Sequence, residues 1–239
     1  MKKILKKILG AGEANEISRE NWLEASLKKI PAGTKILDAG AGSCRYKKFC
    51  GHLEYTSQDF GGYDGKGDGQ GLQTIEWSEP VDITCDIVKI PVEDSAFGAV
   101  MCVEVFEHIP SPIEAIKEFA RILQTNGTLV LSAPFCSGTH FAPFHFYSGF
   151  NHYFHEKHLV ENGFEILAIL PNGNYFDYLI QEISRLPYMS KRYTAKSFRP
   201  FAYLLSFLLV LCLKMISKQD KGSSEFMNFG YHVIAKKIS

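Results

Sequence analysis

The run Ile36-Leu37-Asp38-Ala39-Gly40-Ala41-Gly42 constrains this chain more than any other segment. Its aliphatic pair reads as a buried strand. The acid then falls at the strand's carboxyl end, where an open α/β sheet places its ligand crevice. Gly40 and Gly42 let the main chain turn tightly and approach a ligand that any Cβ would hold off. At 239 residues the chain is long enough for one large α/β domain with elaborations. Its 26 Lys and Arg balance 26 Asp and Glu, so it lacks the basic excess of a general nucleic-acid binder.

Six cysteines (Cys44, Cys50, Cys85, Cys102, Cys136, Cys212) form no Cys-x-x-Cys pair. They read as small core hydrophobes in a reducing compartment, with no disulfide frame and no zinc site. Lys6 and Lys7 break up the apolar pairs of the first ten residues, so no secretory signal is expected and the location implied is cytoplasmic.

Periodicity predicts a helix over 14–30, ended by Pro31, a strand over 34–39 and a helix near 43–51. A second strand is predicted over 53–59. Residues 61–71 hold six glycines and read as a solvated loop or a lid. The spacing Asp64-x-Lys66-x-Asp68-Gly69 faintly echoes a calcium loop, but a lysine stands third and Ile75 stands where a bidentate glutamate is needed. Further strands are predicted over 81–87, 99–105, 128–133, 164–170 and 229–238, with helices over 113–123 and 153–162. The interval 171–228 is too long for a structureless loop and must hold helices, 203–216 most plainly. Strands alternating with helices predict a parallel sheet joined by right-handed crossovers.

This order resembles a class I S-adenosylmethionine-dependent methyltransferase, and more narrowly the small-molecule group called type 11. The resemblance runs over about 34–170 and is completed by the last strand. It implies a Rossmann-like, seven-stranded, mostly parallel sheet with helices on both faces, an antiparallel last strand and a helical insertion before it. The division implied is a basic, helical segment over 1–31, a cofactor-binding core over 32–170, the insertion over 171–228 and a final core strand over 229–239.

By the same resemblance, Asp38, Gly40 and Gly42 shape the pocket for the methionine part and ribose of S-adenosyl-L-methionine. Cys44 stands where many members carry a third glycine. Asp59, 21 residues after Asp38, holds the ribose hydroxyls, a task suited to an acceptor-only carboxylate, and Phe60 packs on the adenine. Asp86 and Ile87, in Cys85-Asp86-Ile87, hold the adenine edge. Glu104 closes the fourth strand toward the methionine part or the substrate, and Val105-Phe106-Glu107-His108-Ile109-Pro110 matches the family's Val-Leu-Glu-His-Val-Pro passage.

For a general base His108 is the first choice and His145 the second, since imidazole titrates near neutral pH. His152, His155 and His158 recur every three residues on one side of a helix, but nothing completes a zinc site and no metal is expected. The aromatic crowding after Pro134 suits a wall that stacks on a sugar or another ring. A nicotinamide oxidoreductase would want Gly-x-Gly-x-x-Gly, and Arg45 breaks that pattern.

Residues 201–213 are apolar apart from Ser206, and lysines and arginines flank them. They read as a helix packed on the sheet or forming a homodimer. The sharper reading is peripheral attachment to an anionic membrane, together with the face Ile4, Leu5, Ile8 and Leu9. That reading brings in a glycan- or lipid-linked acceptor of polysaccharide assembly, and with it the rival of a non-catalytic membrane-associated module.

Overall fold

The computed structural model describes residues 12–73, 80–195 and 199–238, so the basic amphipathic segment expected over 1–10 lies outside the described residues. The chain divides into two compact units, one of residues 22–170 with 230–239 and the other of the described residues up to 21 with 171–229. A helix, α1 (Gly12–Leu27), precedes the first strand, β1 (Lys35–Ala39). There follow β2 (Glu54–Asp59), β3 (Ile83–Thr84), β4 (Phe97–Val103), α2 (Pro112–Ile122) and β5 (Leu123–Pro134). Then come α3 (His152–Glu161), β6 (Phe164–Asn172), α4 (Tyr175–Tyr193), α5 (Arg199–Ser217) and β7 (Gly230–Lys237).

The seven strands form one sheet in the order β3-β2-β1-β4-β5-β7-β6. β1 lies parallel between β2 and β4, β4 runs parallel to β5, and β7 pairs antiparallel with β5 from Thr128↔Lys236 to Pro134↔Gly230. Strand alternation builds the two faces. Leu37, Ala39, Val100, Cys102, Leu129 and Leu131 pack with Ile116 and Phe119 of α2 on one face. Ile36, Ala99, Met101, Val103 and Val130 pack with Leu23 and Leu27 on the other. The Rossmann-like architecture expected of the chain is therefore present, with the strand order reversing between β1 and β4.

Local details depart from expectation. Residues 43–51 form turns and a single 3-10 turn, Lys47–Phe49, rather than a helix. Cys44 adopts φ 54°, a left-handed conformation that no continuing α-helix accepts. The strand expected over 81–87 shrinks to Ile83–Thr84, because its edge is tied down by side chains instead: the Asp82 carboxylate accepts from both the N–H and the hydroxyl of Ser57 at 2.8 Å. The Asn126-Gly127 turn survives only as an irregularity inside β5, with Asn126 at φ 67°.

In the second unit, α4 and α5 pack through Ile180 and Val210, and the Ser206 hydroxyl donates to the Ile183 carbonyl at 2.9 Å. α5 is longer than its apolar run suggested: residues 200–217 have a mean hydropathy of 1.9, enough by length and composition to cross a membrane. Phe201, Leu204, Leu208 and Met215 on it are each more than half exposed.

Candidate active site

The carboxyl ends of β1, β2 and β4 open on a cavity of about 420 Å³, lined by Gly40, Asp59, Phe60, Asp86, Ile87, Glu104 and His108 among others. It lies at the reversal of strand order, where an open α/β sheet binds its ligands. The glycine bend forms its floor. Gly40 has φ +76°, and a Cβ there would lie 2.6 Å from both methyls of Val105. The Gly40 N–H donates to the Gln58 main-chain carbonyl at 2.9 Å and faces the side-chain oxygen of Gln58 at 3.2 Å. Gln58 also donates from Nε2 to the Cys85 carbonyl at 2.7 Å, so one amide links the bend to the edge that carries Asp86.

Asp59 is buried and holds two loops: Oδ2 accepts from the Gly42 N–H at 2.9 Å and Oδ1 from the Gly61 N–H at 3.0 Å. Each oxygen keeps a second lone pair, the acceptor capacity that a diol needs. Glu104 sits just past β4 at φ 56° and accepts a hydrogen bond from the Ser132 hydroxyl. A left-handed glutamate costs roughly 1–2 kcal/mol and is characteristic of a functional strand end. Asp86 is exposed and caps its own turn, accepting from the Val88 N–H at 3.1 Å, while Ile87 beside it is buried.

Asp38 and Gly42 do not line the cavity. Asp38 shares its strand face with Ile36 and accepts from the Tyr55 hydroxyl at 2.6 Å. Burial drives its pKa from 3.8 to about 7, against the Tyr55 hydrogen bond and with a smaller push from Asp59. Gly42 serves through its N–H to Asp59.

One side of the cavity is aromatic: Tyr63, Phe141, Phe144 and Phe146 line it, and the ring of Phe60 meets Phe144 edge-on at 4.9 Å. Phe141, Phe144 and Phe146 belong to the aromatic run after Pro134 that the sequence offered as a stacking wall, whereas Tyr63, inside the glycine-rich loop, carried no such signal. The glycine-rich loop is exposed over residues 66–70, as expected, yet its main chain is held against the segment after β5. A Cβ on Gly67 would sit 1.9 Å from the Ala142 carbonyl, and one on Gly71 2.2 Å from that of Thr139. Main chain thus runs against main chain, joined by Phe141 N–H to the Leu72 carbonyl at 2.9 Å and Leu72 N–H to the Thr139 carbonyl at 3.0 Å. Asp64, the imagined calcium ligand, accepts instead from the N–H groups of Lys66 and Gly67.

His108 lines the cavity. Its Nδ1–H donates to the Phe144 carbonyl at 2.6 Å, and burial together with His140 pushes its pKa down to about 3. His145 stands outside the lining, its Nε2 3.2 Å from the Ser137 hydroxyl. The helical histidines separate: His155 is buried among Phe150, Phe154 and Tyr231, with burial lowering its pKa to about 4, and His158 faces Glu161 at 3.4 Å.

The lining combines the carboxylates of Asp59, Asp86 and Glu104 with apolar Ile87, Phe60 and Val105, a set that suits a ligand with hydroxyl and amino groups beside an apolar ring, as an adenosyl sulfonium compound has. The fold is that of the class I S-adenosylmethionine-dependent methyltransferases. Residues 37–131 match the family described as methyltransferase domain, in its type 11 group, and S-adenosyl-L-methionine is the cofactor of that domain.

Solved structures with the same fold include a candidate sarcosine dimethylglycine methyltransferase from Galdieria sulphuraria (14% identity, TM-score 0.55, covering 92% of this chain and 84% of that one). The [4+2]-cyclase SpnF is similar at 18% identity and TM-score 0.55, covering 92% and 81%. Phosphoethanolamine N-methyltransferase 2 of Haemonchus contortus, in complex with S-adenosyl-L-methionine, matches at 16% identity and TM-score 0.54, covering 92% of this chain and 52% of that one. No curated protein matches the sequence.

Proposed function

We propose that this crevice moves a methyl group from S-adenosyl-L-methionine to a small acceptor carrying a ring or sugar face. The observation that carries the reading is one continuous cavity with Gly40, Asp59, Asp86 and Ile87 at one end and His108 with Phe141, Phe144 and Phe146 at the other. When bound, the cofactor supplies a methyl carbon activated by a sulfonium. The chain's own residues then bind, orient and exclude water, which is most of what a direct displacement asks of a protein.

In this reading Asp59 holds the ribose hydroxyls, Asp86 and Ile87 hold the adenine edge with Phe60 covering its face, and Glu104 faces the cationic end. Asp38 and Gly42 act from behind, by setting β1 and by fixing Asp59. His108 presents its ring to the acceptor. Its Nδ1–H is committed to Phe144 and its Nε2 lies 3.6 Å from Glu107, a geometry that serves orientation better than proton removal. His145 is a second-rank base on position alone.

Asp59→Ala is expected to weaken S-adenosylhomocysteine binding by about 1–3 kcal/mol, read by calorimetry. Affinity equal to the wild type would refute the ribose assignment. Because a [4+2]-cyclase uses the same fold, the reaction itself needs its own test. Conversion of labelled cofactor to S-adenosylhomocysteine on adding cell extract supports transfer, and its absence across extracts favours a module that binds without methylating.

We also propose that α5 rests in the interface of an anionic membrane, which would bring a lipid- or glycan-linked acceptor to a protein at the inner face. Support comes from the exposed apolar residues Phe201, Leu204, Leu208 and Met215, followed by Lys214, Lys218 and Lys221. Flotation with phosphatidylserine vesicles at low salt should carry the protein upward, less so for Leu204→Glu/Leu208→Glu. A protein that stays at the bottom, or dimerises through α5 instead, removes the membrane from the account.

A further inference from the structure

We propose that Glu107, His108 and His140 bind one divalent first-row transition-metal ion, of which zinc is the type. Glu107 and His108 sit in the single 3-10 turn after β4, Phe106–His108. His140 comes from the segment after β5, which is pinned beside Leu72 of the glycine-rich loop. The Nε2 atoms of His108 and His140 lie 3.6 and 3.7 Å from the same carboxylate oxygen, Glu107 Oε1. All three donor atoms lie within 4.8 Å of one another. Metal bonds of about 2.0–2.1 Å in a tetrahedron place ligand atoms roughly 3.3 Å apart, so a small contraction closes the site.

The supporting hydrogen bonds fix the donors. His108 Nδ1 faces the Phe144 carbonyl at 2.6 Å and His140 Nδ1 faces the Gly138 carbonyl at 3.0 Å. A carbonyl only accepts, so Nδ1 carries the proton in both rings and Nε2 presents its lone pair toward Glu107. The Glu107 side chain is 1% exposed, and a bound cation offsets the cost of keeping a carboxylate there. Two imidazoles and one carboxylate suit zinc and its neighbours rather than calcium or magnesium, which favour oxygen-rich shells. Three protein ligands leave a fourth position open. His108 also lines the crevice, which makes that position available to water or to an acceptor atom. His145, with its ring 4.9 Å from that of His140, stands outside the donor set.

The test uses the full chain, stripped with a chelator and titrated by calorimetry with zinc chloride, then by visible absorption with cobalt(II). The expected result is one equivalent bound, a cobalt spectrum of nitrogen and oxygen ligation, and more than a tenfold loss of affinity in His140→Ala and in Glu107→Gln. His152→Ala should bind as the wild type does. Glu107 is buried, so the partly accessible His140 carries the decisive comparison. Failure of stoichiometric binding, unchanged affinity in His140→Ala, or a spectrum dominated by thiolate absorption would overturn the site. S-adenosylhomocysteine affinity measured on the same samples keeps this separate from the methyltransferase reading: cofactor bound without metal removes only the metal site.

Discussion

Gly40→Ala is expected to destabilise the fold by about 2–5 kcal/mol, the sum of a left-handed alanine and an overpacked contact. The residue sits at φ +76°, and the added Cβ would lie 2.6 Å from Val105 Cγ1 and Cγ2. Valine's branched methyls are stiff, so relief has to come from the main chain. The bend would move away from Val105, and the Gln58 amide that accepts from the Gly40 N–H would move with it. Denaturant unfolding of the variant should show the loss in midpoint, and S-adenosylhomocysteine binding should fall with it. The double variant Gly40→Ala/Val105→Ala should regain the packing share and keep the conformational one. Two equally unstable variants would mean that the contact with Val105 is not the source.

Asp38→Asn is expected to stabilise the cofactor-free protein at alkaline pH by up to about 4 kcal/mol, with the gain shrinking toward acid. The carboxyl rises from 3.8 to about 7 on folding. Between those values the folded state keeps a proton that the unfolded chain has released, so wild-type stability declines as pH climbs from about 4 to about 7 and stays low above that. Asparagine retains an oxygen for the Tyr55 hydroxyl and brings no charge, so the variant should lack this slope. From pH 5 to pH 8 the advantage should widen by about 3 kcal/mol. Parallel stability curves for the two proteins would show that the buried acid is not the group responsible.

Much of the cofactor end was readable in the chain because its chemistry sits in short runs at strand ends. Gly40, Asp59, Asp86, Ile87 and Glu104 each close a strand or follow one, and each lines the cavity. Asp38 shows where that logic stops. Alternation along a strand turned it to the face of Ile36 and Tyr55, one residue short of the opening. The missing helix after β1 follows from the backbone at Cys44. Its φ of 54° suits the glycine found there in the resembling family, a conformation that a cysteine side chain does not announce.

An aromatic wall after Pro134 was readable, but which of its rings line the opening, and what surrounds His140, depend on a fold-back over long separations. Phe141, Phe144 and Phe146 differ in no local way from Phe135 or Phe150. Only the pairing of residue 72 with 140 decides which rings face the opening. The helical spacing of His152, His155 and His158 was real but uninformative, since burial sent His155 into the interior and left His158 to Glu161.

The seam formed by Gly67 and Gly71 against the carbonyls of Ala142 and Thr139 has a consequence for anyone engineering acceptor preference. Randomising this stretch would return almost nothing, because nearly any replacement pries the two strings of peptide apart before it meets a ligand. The productive library lies one layer inward, at rings that can be swapped without parting that joint.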